Sequence, residues 1–205
     1  MRTLSVADRS QFHLDPIKGS RFIATVAPAA TEGDALAVVE DVRAEFSDAR
    51  HHCWAYRLRE QSRSRSSDDG EPGGSAGRPI LAQIDGHGLE DVVVVVTRYF
   101  GGVKLGVGGL IRAYGGCAGK ALDTANIVTV IAMTDLTVTH AYPDTAPVDA
   151  IIGQEGLTRK DADYGADVTV VLAVALEDLD RIRRAFTDAT SGRAQLASSA
   201  DPSLE

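Results

Sequence analysis

The sequence predicts an α+β protein with two domains. Strand and helix patterns alternate through the first two thirds of the chain, and a strand-helix-strand-strand-helix-strand order fills the last third. A chain of 205 residues is long enough to bury one or two cores. Hydrophobic residues make up 44% and charged residues 24% of it, which is typical of a globular protein and excludes wholesale disorder.

Three elements are predicted in the first quarter of the chain. Residues 19–26 alternate polar and apolar side chains, as a half-buried strand does, and Pro28 follows them. A helix is expected over 31–48, because Thr31 can cap it and apolar residues recur at helical spacing behind the cap. Residues 51–58 alternate again and predict a second strand.

The middle of the chain begins with a loop expected over 59–79, which is rich in Ser, Gly, Arg and Asp and is either functional or disordered. Residues 80–84 are expected to form either a short helix or a short strand. The five valines Val92–Val96 predict a strand buried on both faces. A helix is expected over 110–122, in spite of three glycines, and a strand over 127–133 then closes the first domain.

The remainder of the chain matches the split βαβ, or ferredoxin-like, order of elements. The six segments in that order are 136–140, 145–153, 156–164, 167–175, 178–189 and 193–196. The expected division of the chain is an N-terminal tail 1–18, a first domain 19–133, a second domain 134–198 and a frayed tail 199–205.

The sequence predicts neither a membrane protein nor a protein stabilised by disulfides. Apolar runs are too short for a membrane helix and the first residues lack a signal-peptide pattern, so we expect a cytoplasmic protein without membrane contact. Cys53 and Cys117 are too few for a disulfide framework, and we expect both to be buried, reduced thiols. The oligomeric state does not follow from the sequence.

Charge is distributed unevenly along the chain. The net charge is −8, but residues 50–120 carry ten Lys or Arg and seven Asp or Glu, a net +3, which leaves −11 for the rest. An anionic partner, if the protein has one, should therefore contact the middle of the chain.

A glycine-rich turn between the valine strand and the following helix, within residues 96–116, is the strongest candidate site. Unpaired N–H groups at such a turn and at a helix start attract phosphate. The alternative is that the glycines only permit tight turns and close helix packing. The candidate anion-binding residues are Arg98, Lys104, Arg112, Gly101, Gly102, Gly108 and Gly109, with Arg57 and Arg59 from the loop.

Known nucleotide motifs do not match this turn. Gly101 and Gly106 have the outer spacing of a P-loop, but Val107 stands where the phosphate-binding lysine belongs. Gly108 and Gly109 also miss the dinucleotide-binding pattern. No cofactor is therefore predicted.

Two further segments carry polar residues that could have either a functional or a purely structural role. His51 and His52 are neighbours in a strand and so point to opposite faces, which disfavours a shared metal ion. Asp68, Asp69 and Glu71 could hold a cation or act in acid-base chemistry, and the alternative is a solvated turn. No metal site is predicted.

Taken together, four ordered motifs resemble the YigZ/IMPACT family. They are SRF at 20–22, RHHC at 50–53, SDDGEPGGSAGRP at 67–79 and TRYFGGVKLGVGGLIRAY at 97–114. The family resemblance implies a first domain similar to the second domain of ribosomal protein S5 and to domain IV of elongation factor G. It implies a second domain similar to domain V of that factor. The polar residues that match the family motifs are Arg21, His51, His52, Asp68, Asp69 and Glu71.

The resemblance and the charge pattern favour binding over catalysis. The leading hypothesis is a protein that binds RNA, the ribosome or another anionic partner and so modulates translation or a stress response. One alternative is an enzyme acting on a small phosphorylated or peptide substrate through the histidine and carboxylate segments. Another is a protein–protein regulator that acts through the acidic second domain.

Overall fold

The computed structural model describes residues 2–59 and 63–199. The chain forms two compact units. The N-terminal unit holds Thr3–Val130, and the C-terminal unit holds Arg2 with the described residues from Ile131 onward. No helix in these parts of the chain is long and apolar enough to cross a membrane.

The N-terminal unit is built on a five-stranded antiparallel sheet with strand order β2-β3-β6-β4-β5. A separate two-stranded sheet pairs β1 with β7. The elements in chain order are β1 (Arg2–Val6), β2 (Ser10–Ile17), β3 (Ser20–Pro28), α1 (Glu32–Glu45), β4 (His51–Arg57), β5 (Ser64–Ser67), α2 (Gly77–Gly86), β6 (Val92–Tyr99), α3 (Val107–Thr124) and β7 (Ile127–Ile131).

Helices cover both faces of this sheet. Val92, Val94 and Val96 of β6 pack into one core with α2 and α3, whereas Val93 and Val95 pack into a second core with α1. Because side chains alternate along a strand, each valine of the run meets one helical layer or the other. The prediction of a strand buried on both faces is confirmed.

Helix α1 begins where the sequence predicts. Thr31 accepts a hydrogen bond from the N–H of Asp34, and the Asp34 side chain accepts one from the N–H of Thr31, which makes a capping box. The helix ends at Glu45, a turn earlier than expected. The segment 80–84, left open between helix and strand, lies within helix α2.

The first residues of the chain differ from the expected N-terminal tail over 1–18. They form β1 and β2 instead, and β2 is an edge strand of the main sheet. Phe12, Leu14 and Ile17 are partly buried against the core that includes α3. Phe12 and Leu14 alternate with polar neighbours, but Pro16 and the out-of-phase Ile17 break the pattern where the pairing with β3 changes register.

The loop expected over 59–79 is folded in its described part. Residues 64–67 form β5, which pairs with β4, and the segment that follows leads into α2. Residues 60–62 of the expected loop, and 200–205 of the expected frayed tail, lie outside the described residues.

The C-terminal unit has the ferredoxin-like order that the sequence predicts. Its elements are β8 (Met133–His140), α4 (Thr145–Gln154), β9 (Thr158–Tyr164), β10 (Val168–Ala175), α5 (Leu179–Ala189) and β11 (Gln195–Ser198). The antiparallel strand order is β11-β8-β10-β9, with both helices packed on one shared core. The expected strand 127–133 is two strands, β7 and the start of β8.

Candidate functional site

One end of the five-stranded sheet gathers most of the predicted site. Strand β6 runs antiparallel to both β3 and β4, so its last residues lie beside the first residues of those two strands. Arg98 pairs with Phe22 on one side and with His51 on the other. The glycine-rich turn that follows β6 therefore emerges between the starts of β3 and β4.

The backbone of Gly101 packs directly against the backbone of the turn between β2 and β3. A Cβ atom on Gly101 would lie 1.9 Å from the carbonyl carbon of Gly19 and 2.1 Å from the nitrogen of Ser20. The N–H of Gly101 donates to the Ser20 hydroxyl at 3.1 Å. Close packing therefore requires a glycine at 101, whether or not the turn binds phosphate.

Arg98 forms a buried ion pair with Glu71. Nη1 of Arg98 lies 2.6 Å from Oε1 of Glu71, and the two side chains are 6% and 5% exposed. The hydroxyl of Tyr114 donates to the same oxygen at 2.7 Å. The Arg98 guanidinium also lies over the rings of Phe22 and Phe100. This predicted anion-binding residue thus has an internal anionic partner.

Two neighbouring groups of this cluster stay protonated. Burial is the main cause that raises the pKa of Tyr114, with Cys53 and Glu71 adding to it. Burial likewise raises the pKa of the Cys53 thiol to about 12, and that thiol donates to the carbonyl of Asp68 at 3.0 Å. Tyr114 is therefore a hydrogen-bond donor and Cys53 a poor nucleophile at neutral pH.

Asp68 acts as a remote cap for helix α2. Its Oδ1 accepts the N–H groups of Ala76 and Gly77 at 2.9 Å each, and its Oδ2 accepts that of Gly74 at 2.7 Å. Burial alone would raise the pKa of Asp68, but the three N–H donors outweigh burial and hold the pKa below its ordinary value. The Ala76 position has no side-chain cap of its own, so Asp68 supplies one.

Asp69 fastens the same loop to α1 and β4. Its carboxylate accepts from Arg43 at 2.8 Å and from the N–H of His52 at 2.7 Å. His51 donates through Nδ1 to the carbonyl of Asp69 at 2.8 Å, whereas His52 donates through Nε2 to the carbonyl of Phe46 at 3.1 Å. The two imidazole rings therefore donate to different carbonyl groups.

The three loop carboxylates do not converge on one point. Asp68 turns to backbone N–H groups, Asp69 to Arg43 and Glu71 to Arg98. In the described part of the chain, no group of three or more His, Cys, Asp or Glu side chains is placed to hold a metal ion.

A pocket of about 310 Å³ opens beside the Glu71–Arg98 pair. The pair lines it together with Phe100, Leu105 and Leu110. Lys104, Gly106 and Val107 also line it, which places the start of α3 at this pocket. No side chain of residues 2–59 or 63–199 caps that helix start.

Exposed apolar side chains and basic side chains lie on the glycine-rich turn and on the first turns of α3. Phe100 is 48% exposed, Val107 is 53% exposed and Ile111 is 42% exposed. Arg112 lies beside Gly108, with Nη1 3.9 Å from where a Cβ on that glycine would stand. We define the turn surface as Phe100, Val103, Lys104, Val107, Ile111 and Arg112.

The predicted basic residues fall into two groups. Arg57 pairs with Asp85 at 2.6 Å and Arg59 with Asp91 at 3.5 Å, so both are used within the protein. Arg63 and Arg65 both pair with Glu32.

Lys104 and Arg112, in contrast, have no ion-pair partner among residues 2–59 and 63–199. Lys18, which precedes the Gly19 contact, and Arg50, which precedes β4, lie at the same end of the sheet. They too are without an ion pair in the described chain. Arg21 stacks on the ring of Tyr99 at 4.4 Å. Basic side chains that are free to meet a partner are thus present on and near the turn surface.

Sequence reasoning missed Tyr114, Ser20 and Phe100 as members of the site. Tyr114 falls within the helix predicted over 110–122, and its hydroxyl is a usable signal, because a buried phenol needs a hydrogen-bond partner. Phe100 stands alone between a strand and a glycine pair, and its partly exposed ring gives no periodic signal.

Comparison with known proteins covers both units. The Impact N-terminal domain matches residues 18–122, and a domain of unknown function, DUF1949, matches residues 138–193. The IMPACT family member YigZ of Escherichia coli is 38% identical over 89% of this chain and 91% of its own length. The family member YvyE of Bacillus subtilis is 31% identical over 88% and 83%.

A solved structure of a hypothetical protein supports the same assignment. It is 35% identical to this chain with a TM-score of 0.73, and the match covers 100% of this chain and 98% of that one. The motifs, the fold and these similarities agree, and the chain belongs to the IMPACT family as a YigZ-like member.

Proposed function

We propose that the N-terminal unit binds RNA through the turn surface, and that the protein acts on translation by binding RNA or the ribosome. The observation that carries the proposal is the placement of unpaired Lys104 and Arg112 beside exposed Phe100, at the uncapped start of α3. Basic side chains and helix N-termini bind phosphates, and exposed aromatic rings stack on bases.

The polar groups that an enzyme would use are held by intramolecular bonds. Asp68 and Asp69 organise the loop that leads into α2, and Glu71 neutralises Arg98. Burial keeps the pKa of Cys53 at about 12, far above neutral pH. These contacts favour a binding surface over a catalytic centre built from the same residues.

The test compares two double variants that remove the same charge. Lys104→Ala/Arg112→Ala removes the unpaired cations, whereas Arg63→Ala/Arg65→Ala removes two cations that pair with Glu32. We expect wild-type binding to labelled RNA and to purified ribosomes to weaken as salt rises, because phosphate contacts release counterions. The first variant should lose about tenfold or more in affinity and the control less than about threefold.

Two results would overturn the proposal. One is the absence of salt-sensitive binding to RNA or ribosomes by the wild-type protein. The other is an equal loss of affinity in both double variants, which would show that net charge alone governs the binding.

A second candidate function is a protein–protein contact through the C-terminal unit. Strand β9 is an edge of its sheet and all seven of its residues are exposed. An exposed edge can pair with a strand of another protein. Hydrogen exchange on the full chain bound to ribosomes separates the two: protection at residues 100–112 supports the RNA proposal, and protection at 158–164 supports the protein contact.

A further inference from the structure

We propose that the pocket beside Glu71 and Arg98 takes up one unstacked nucleotide of a bound RNA, with the base inside and the phosphate at the rim. This inference rests on the proposed RNA-binding function and names the ligand of that surface. It goes further in one respect, since it assigns a nucleotide-sized cavity and an orientation to a surface that otherwise binds only by charge and stacking.

The floor of the pocket has unused hydrogen-bonding capacity. Oε1 of Glu71 is occupied by Arg98 and Tyr114, but Oε2 accepts no hydrogen bond from residues 2–59 or 63–199. Because the Glu71 side chain lines the pocket, this oxygen can accept a hydrogen bond from a donor bound there. The second amino group of Arg98 has only a long contact, 3.4 Å, to the Ser20 hydroxyl.

Nucleobases match this floor. The hydrogen-bonding edge of every base carries an N–H donor beside an acceptor atom, so the donor can reach Oε2 of Glu71 and the acceptor can face Arg98. A bare phosphate would meet the Glu71 carboxylate with charge repulsion, and a cationic side chain would meet Arg98 in the same way. The paired floor therefore favours a neutral, flat, polar-edged group.

The walls and the size of the pocket fit a single base. Phe100, Leu105 and Leu110 supply an aromatic ring and aliphatic side chains, which suit the faces of a planar ring. The volume of about 310 Å³ is at the lower end of the range for small-ligand sites. It accommodates one nucleotide rather than a longer segment.

The rim supplies the phosphate contacts. Lys104 lines the pocket opening, and the N–H groups at the start of the 18-residue helix α3 have no side-chain cap. Gly106 and Gly108 add no side chain there, and neither backbone neighbours nor side chains would crowd a Cβ at Gly106. A phosphate at this rim leaves its base within reach of the pocket floor.

The experiment measures binding of the four nucleoside 5′-monophosphates and of ribose 5-phosphate to the full chain by amide chemical-shift titration. Val107→Trp places a large ring at the pocket opening, and Ile127→Trp makes the same kind of change at a 42%-exposed aliphatic residue on β7. Phe100→Leu removes the aromatic face and keeps an apolar side chain. Thermal unfolding verifies that each variant is folded.

We expect the nucleotides to bind and to shift resonances of Glu71, Arg98 and Phe100, with ribose 5-phosphate binding at least about tenfold more weakly because it lacks the base. Val107→Trp and Phe100→Leu should weaken nucleotide binding about tenfold, and Ile127→Trp should leave it unchanged. Equal binding of ribose 5-phosphate and nucleotides would overturn the proposal, as would nucleotide binding that Val107→Trp leaves intact.

The outcomes also separate this inference from the proposed function. If nucleotides do not bind, while RNA binding stays salt-sensitive and depends on Lys104 and Arg112, the pocket proposal fails and the RNA proposal stands. If nucleotides bind in the pocket but RNA and ribosomes do not bind, the site is one for free nucleotides and the RNA proposal fails. If neither nucleotides nor RNA and ribosomes bind, both proposals fail.

Discussion

Oε1 of Glu71 lies 2.6 Å from Nη1 of Arg98, and both side chains are almost completely buried. The contact joins the loop before α2 to the end of β6, 27 positions along the chain. A buried charge without its partner is far more costly than the pair, because neither group can regain its hydration. The ion pair therefore helps to position the loop, together with the contacts of Asp68 and Asp69.

We therefore expect Glu71→Gln to destabilise the protein by about 3–5 kcal/mol, since it leaves Arg98 buried without an anion. Urea unfolding measures the change. Asp85→Asn is the matched control, because it breaks the more exposed Arg57–Asp85 pair and should cost less than about 1 kcal/mol. Equal costs for the two variants would show that the Glu71–Arg98 contact adds no more than a surface pair.

Gly101→Ala should destabilise the protein by about 2 kcal/mol or more, because its Cβ would overlap the backbone of Gly19. Gly116→Ala provides the control within α3. In the described chain, no atom outside the helix's own backbone and the neighbouring residues lies within 4 Å of a Cβ at Gly116, so this variant should be stabilised by up to about 1 kcal/mol. A Gly101→Ala protein as stable as wild type would disprove the close contact between the two turns.

Asp68 makes the stability depend on pH in the acid range. Burial raises the folded-state pKa of Asp68, but the three N–H donors outweigh burial and bring this pKa below the unfolded value. The carboxylate therefore stabilises the fold above about pH 4, and this stabilisation is lost as pH falls through the folded pKa. Asp68→Asn should cost about 1–2 kcal/mol at pH 7 and less at pH 3. Unfolding at both pH values measures it, and a pH-independent cost would contradict the prediction.

Both cysteines should resist alkylation in the folded protein. Burial raises the pKa of Cys53 and of Cys117 to about 12, so the reactive thiolate is scarce at pH 7.5. We expect iodoacetamide to label neither thiol in native buffer and both in denaturant. Rapid labelling of the native protein, followed by mass spectrometry, would show that the core around Cys53 is open to solvent.

The sequence predicts elements whose signal is local. Five consecutive valines indicate a doubly covered strand wherever it pairs, and Thr31 followed by Asp34 indicates a helix start, and both are found. Strand β2 is not predicted, although Phe12 and Leu14 alternate with polar residues, because the pattern is short and ends at Pro16. Its membership of the sheet comes from pairing with β3, a long-range contact that periodicity does not report.

The sequence indicates the segments that make up the candidate site but not the contacts within them, and the binding role of the site stays a prediction. Lys104 lies on the glycine-rich turn and Arg112 near the start of α3. Arg98, however, was predicted to meet an external anion and instead meets Glu71. A usable signal existed, since an arginine that directly continues a buried valine strand must itself be buried and paired. The sequence could not name the partner, because three carboxylates precede it in one loop.

The hydrogen bond from Tyr114 to Glu71 has a consequence for the order of assembly during synthesis. The two residues are 43 positions apart, and Arg98 comes 27 positions after Glu71. Contacts of such separation form late, after the strands and helices they connect. A nascent or truncated chain that ends before α3 can therefore hold most of the sheet and still lack the pocket, so ligand binding at this site would report that the whole N-terminal unit has been completed.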